Sequence, residues 1–142
     1  MLLTDVNVLV YALRIDVADH ARYKGWLEDM VTSESAFAVS DQVLSGFVRV
    51  ATHPRAFKQP TPLDVALSFA DRIRNHVIAV AVAPGDRHWG IFTRLCRDAG
   101  AKGNLVPDAY LAALAIESGS EWITTDRDFA RFDGLRWRHP LA

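Results

Sequence analysis

The chain has 142 residues, 50% of them apolar and 23% charged, the size of one domain with room for a packed core and the balance of a globular protein. Lys and Arg total 16 against 17 Asp and Glu, a net charge of −1, which excludes a simple basic-tail nucleic-acid binder but not a local basic patch. No run approaches the ~18 uninterrupted apolar residues of a membrane span. The N-terminal apolar run has no basic segment before it and is broken by Asp5 and Asn7, so a signal peptide is not expected and the cytoplasm is the default compartment.

Met1–Asp5 is a short apolar run ending in a carboxylate and reads as a buried strand; Val6–Leu13 continues as a short helix. A second helix is expected over Ala18–Met30 and a strand over Ser35–Val39. Ser40–Ala51 is helical, with Val43, Phe47 and Val50 on one stripe. Three prolines make His53–Pro62 a loop. Leu63–Asn75 gives an amphipathic helix and Val77–Val82 a β-branched strand. After Pro84-Gly85, Asp86 is placed to cap a helix running to Asp98; Gly100 and Gly103 mark the next connection. Pro107 stands where a first helical residue belongs, with Asp108 in the first turn and Gly119 just past the end. Glu121–Thr125 is the last main strand. No repeat or composition shift divides the chain, so residues 1–142 form one α/β domain with a mainly parallel sheet.

Three acids fall at informative places. Asp5 and Asp126 end the first and last main strands, and open parallel sheets build sites beyond such ends. Asp108 shares a helical face with Leu111, Ala112 and Ala115, so it points toward the sheet. Brought together, the three would repel one another unless a cation intervened. Mg²⁺ or Mn²⁺ suits such a set, and a metal there can activate water against a phosphodiester. Simpler readings stand beside this one: Asp108 as a helix-start residue favoured by the macrodipole, and Asp126 as a cap for the turn that follows. Asp5 is harder to explain without a partner.

The segments LLTDVNVLVYA, LVPDAYLAALAIESG and WITTDRDFARFDGLRWRHPL, with GFVRVATHP at 46–54 and RHW at 87–89, resemble in order the motifs of bacterial PIN domains. They are most similar to VapC toxins of mycobacterial-type VapBC operons, over nearly the whole chain. The resemblance implies a three-layer α/β/α sandwich and a divalent-metal site of Asp5, Asp108 and Asp126, holding Mg²⁺ or possible Mn²⁺. Asn7, Thr124 and Asp128 would orient ligands or water. It also implies endonucleolytic RNA cleavage that inhibits translation and growth, neutralisation by a cognate VapB-type antitoxin, a homodimer and a toxin–antitoxin hetero-oligomer. Many PIN toxins carry a glutamate where this chain has Gly46. That departure puts metal affinity in doubt and supports the alternative of a non-catalytic PIN module that binds RNA or protein. A haloacid-dehalogenase-type phosphatase is a weaker rival, because Asn7 stands where its second aspartate is required.

Other residues are given lesser roles. Histidines 20, 53, 76, 88 and 139 lack paired zinc spacing; His88 reads as structural or interfacial, and Cys96 as a small core residue. Arg14, Arg49 and Arg127 are candidates for RNA phosphate contacts, against a default of solvated charge. Trp26, Trp89, Trp122 and Trp137 fall mostly at core spacing. Glu117 reads as solvated or at an oligomer contact.

Overall fold

The computed structural model describes residues 1–142. Strand β1 (Leu2–Thr4) leads into helix α1 (Val6–Leu13) and α2 (His20–Thr32), followed by β2 (Phe37–Val39), α3 (Asp41–Ala51) and α4 (Leu63–Arg74). The chain continues through β3 (Ala79–Ala81), α5 (His88–Ala99), α6 (Leu105–Ser118), β4 (Glu121–Ile123), a 3-10 turn (Arg127–Arg131) and β5 (Trp137–Arg138). The five strands pair in the order β3-β2-β1-β4-β5, every pair parallel.

That order reverses at the centre. The chain winds outward from β1 through β2 to β3, then returns to lay β4 on the other side of β1. Right-handed crossovers therefore place α1–α4 on one face and α5–α6 on the other, as the contacts among α1, α2, α3 and α4 and between α5 and α6 reflect. The result is the expected three-layer α/β sandwich. Its switch point lies between β1 and β4, where a crevice opens beyond the strands' carboxyl ends. Leu3, Phe37, Phe47, Leu114, Trp122 and Phe129 are almost wholly enclosed in one core that spans the sheet and both helical layers.

Several boundaries differ from the sequence reading. The strands are shorter; Val77 lies outside β3 and is 92% exposed. Helix α5 begins at His88, and Asp86 does not cap it: Arg87 holds the cap position without a side-chain bond. Helix α6 starts at Leu105, so Pro107 is its third residue rather than its first. The change is tolerated because N–H groups throughout the first turn lack helical partners anyway. The sequence reading has no β5, which is only two residues long and pairs with β4 through Trp122 and Ile123. Trp122 is buried as expected, but Trp89 is 67% exposed on α5. Cys96 is half-buried against the core, and His88 is buried, its Nε2 2.9 Å from the Tyr110 carbonyl.

Candidate active site

Asp5 leaves β1 at the switch point and serves as the cap of α1. Its Oδ1 accepts the Val6 N–H at 2.7 Å, and its own N–H extends the sheet ladder to the Ile123 carbonyl at 2.8 Å. The Thr124 hydroxyl, fully buried one residue beyond β4, donates to Asp5 Oδ2 at 2.7 Å. The same Thr124 oxygen accepts the Asp126 N–H at 3.0 Å, and Asp126 Oδ1 accepts the Asp128 N–H at 2.9 Å. One relay of hydrogen bonds thus runs from the 3-10 turn to the carboxylate of β1. Asp128 is exposed and contributes its backbone to that relay.

Asp108 enters from the first turn of α6. A cavity of about 380 Å³ is lined by Asp5, Asn7, Tyr11, Asp108, Asp126 and Phe129, among others. The three acids singled out in the sequence therefore share one hollow, although they come from positions 5, 108 and 126 of the chain. Burial, reinforced by the charges of Asp126, Asp5 and Asp128, pushes the Asp108 carboxyl up to about 6. Asp5 is also raised: burial outweighs the bonds from Thr124 and Val6, and Asp126 adds to it. Each carboxylate is thus felt by its neighbours, as expected of like charges gathered in one place.

The acids form an open cluster, and no three acidic, cysteine or histidine side chains stand close enough to enclose an ion directly. The donor set nonetheless fits a hard cation that keeps several waters, since it consists only of oxygens. One more oxygen supports that fit: Asn7 Oδ1, in the same cavity wall, is buried without any hydrogen-bond partner. A buried amide oxygen without a donor is costly, and a hydrated cation would satisfy it.

Larger hollows lie elsewhere, among them two that border α2. One of about 570 Å³ runs between α1, α2 and α4, and one of about 670 Å³ lies beside the 3-10 turn and β5. Neither contains the three acids.

Gly46 has a packing role. A Cβ there would stand 3.0 Å from Val6 Cγ2, so the glycine lets α3 approach α1 beside the Asp5 cap. Of the three arginines considered for RNA contact, Arg14 is occupied. It is buried, holds both oxygens of Asp16 at 3.0 and 2.7 Å, and donates to Thr61 at 3.1 Å. Its guanidinium also lies 3.6 Å above the Phe57 ring. It fastens the 53–62 loop, whose Phe57 forms a wall of the acid cavity. Arg49 and Arg127 are exposed. Sequence reasoning missed Tyr11 and Phe57 as walls of the site; apolar residues in a helix and a proline-rich loop give no signal of it.

The PIN domain family model matches residues 2–135, and the chain belongs to that family. Within it, the chain is 46% identical over 141 residues to ribonuclease VapC43 of Mycobacterium tuberculosis, covering 99% of this chain and 96% of that one. Among solved structures, VapBC2 of Rickettsia felis bound to a promoter DNA fragment superposes with a TM-score of 0.67 at 18% identity, over 96% of each chain. M. tuberculosis VapC20, a toxin that cleaves the sarcin–ricin loop, gives 0.65 at 18% identity over 96% of this chain and 99% of its own. These two likenesses show the shared fold. With the family match, they also set aside the phosphatase reading.

Proposed function

We propose that this protein is an endoribonuclease dependent on Mg²⁺ or Mn²⁺, the toxin of a VapBC-type pair, which hydrolyses RNA phosphodiester bonds and so inhibits translation and growth. The observation that carries the reading is the convergence of Asp5, Asp108 and Asp126 on one cavity at the switch point, with Asp108 raised by burial and, after it, by the charges of its neighbours. Asp5, Asp108 and Asp126 would hold the ion, with Asn7 Oδ1 and intervening waters completing its surroundings. When bound, such an ion neutralises charge on a phosphate and makes its water more acidic. The chain's own residues prepare that site. Thr124 fixes the rotamer of Asp5, and the Asp128 N–H holds Asp126. Phe57, Phe129 and Tyr11 narrow the cavity around the carboxylates. Without a cation the same acids would repel an RNA backbone.

The 46% identity to a protein named a ribonuclease supports the activity. The VapBC complex among the structural neighbours supports a VapB-type antitoxin as partner. The apolar groove between α1, α2 and α4, walled by Leu13, Ile15, Leu27, Val31 and Phe69, offers a surface for it. A homodimer is proposed from the family alone.

The openness of the acid cluster favours one second reading, a PIN module that binds RNA without cutting it. Incubating purified wild type and Asp5→Ala with total bacterial RNA, in Mg²⁺, in Mn²⁺ and in EDTA, separates the two. Discrete fragments are expected from wild type with metal only. Intact RNA in every lane, from folded and antitoxin-free protein, would leave the binding module.

A further inference from the structure

The acid cavity adjoins a hollow of opposite chemistry. The 670 Å³ cavity beside β5 is walled by Arg22, Tyr23, Arg127, Trp137, Arg138 and His139, and Asp19 is the only acidic side chain in its wall. Two features join it to the carboxylates. Thr125 and Arg127 line the basic hollow while Asp126, between them, lines the acidic one. Tyr11, a wall of the acid cavity, packs its ring 5.1 Å from Tyr23, whose ring is 6.2 Å from His139. A line of rings therefore leads from one hollow into the other.

The polar groups of this second hollow are available. Arg22 and Arg127 are exposed, and neither takes part in any of the chain's ion pairs. Arg138 uses its Nε on Glu121 at 3.0 Å, which leaves its terminal nitrogens. The His139 Nδ1 accepts the Leu141 N–H at 3.0 Å, so the neutral ring carries its proton on Nε2 and can donate. Cations for phosphates together with ring faces for bases are what a single-stranded nucleic acid requires of a groove, and they do not depend on base identity.

We infer that the cavity formed by Arg22, Tyr23, Arg127, Trp137, Arg138 and His139 is a binding subsite for the single-stranded RNA flanking the scissile phosphate, an inference that rests on the ribonuclease reading. The subsite also answers an electrostatic problem. A phosphate backbone gains nothing by approaching the carboxylates alone, whereas arginines at their edge hold the neighbouring phosphates and draw the strand in.

The test uses an Asp5→Asn background, which binds without turnover, and a short fluorescein-labelled single-stranded oligouridylate read by anisotropy across a salt series. The arms are the background alone, Arg22→Gln/Arg127→Gln, and Arg97→Gln as a charge control, Arg97 being exposed and outside both cavities. The double variant is expected to bind more weakly, and its slope of log affinity against log salt to fall by about 0.7 per arginine. The control should keep the slope of the background. Both target arginines are at the surface, so melting temperatures should not move. An unchanged slope in the double variant overturns the subsite, even if wild-type protein cuts RNA. Arginine-dependent binding by a chain that cuts no RNA upholds the subsite and removes the cleavage reading instead.

Discussion

The Thr124 hydroxyl donates to Asp5 Oδ2 at 2.7 Å while its own oxygen accepts the Asp126 N–H at 3.0 Å. The direction of both bonds is fixed, since a backbone N–H can only donate and an ionised carboxylate can only accept. The threonine thereby couples the ends of two adjacent parallel strands, β1 and β4, and does so without reaching the cavity itself. Groups that orient a ligand from behind typically carry 10- to 100-fold in metal affinity or activity (about that range). Thr124→Val keeps the shape and removes the donor, leaving Asp5 buried with one bond fewer. Mn²⁺ affinity by calorimetry and RNA cleavage should both fall by about that factor, while Thr124→Ser restores most of each. Equal activity in the valine and serine variants would show that the bond does not matter.

Asp108 makes a pH prediction with a definite sign. Its folded value of about 6 lies above the ordinary aspartate value of 3.8. Its contribution to stability is therefore fully present below the unfolded value and is lost as pH rises through about 6. In metal-free protein, Asp108→Asn removes a repelled charge. It should melt higher than wild type at about pH 7, the difference closing as pH falls toward about 4. Asp108 is only half-buried, so solvent screening keeps the effect modest. A constant difference at every pH would mean that the substitution acts by packing.

A cation bound among these acids must stabilise the fold by mass action. At about 100 times its dissociation constant, the gain is about 2.7 kcal/mol. Thermal melts in Mg²⁺, in Mn²⁺ and in EDTA should therefore separate for wild type and coincide for Asp5→Asn/Asp108→Asn. This readout is independent of turnover. Coincident curves for wild type at millimolar metal would contradict a metal site at these residues.

Arg14 is expected to be structural. Its bonds to Asp16 and Thr61 and its place over Phe57 need the planar fork of a guanidinium, which lysine cannot reproduce. Arg14→Lys should lower stability by about 1–3 kcal/mol and make the 53–62 loop easier for a protease to cut. A variant as stable and protease-resistant as wild type would return Arg14 to the pool of solvated charges.

How far the sequence foretold the site depends on how local each signal is. Asp5 and Asp126 were legible because each follows a short apolar run, and a strand end is a place in the fold as well as in the chain. The parallel sheet was legible from alternation, though the reversal that sets β4 against β1 is a property of the topology. Arg14 was misread because its partners Phe57 and Thr61 lie more than 40 residues away, in a loop with no periodicity. Trp89 was misread for a related reason: its spacing is that of a core residue, and only the position of α5 decides which face is covered.

Glu117 carries the last prediction, because it replaces the cap that Asp86 was expected to supply. Its two carboxylate oxygens accept the Gly85 N–H at 2.7 Å and the Arg87 N–H at 2.9 Å, and Arg87 returns a bond to the Glu117 carbonyl at 3.1 Å. The far end of α6 thereby holds the entry to α5. These bonds, Gly85 first and Arg87 with it, pull the Glu117 carboxyl below its ordinary value. The contribution is present above the unfolded value and is lost as pH falls through the folded one. A side chain at position 85 would crowd the carboxylate, since a Cβ would stand 3.0 Å from Glu117 Oε2. Glu117→Ala should therefore speed amide exchange at Gly85 and Arg87 and lower the melting temperature at neutral pH, with the difference from wild type shrinking in acid. Asp86→Ala should change neither. If Asp86→Ala loosens those amides and Glu117→Ala does not, the sequence reading was right and the α6 carboxylate is only a neighbour.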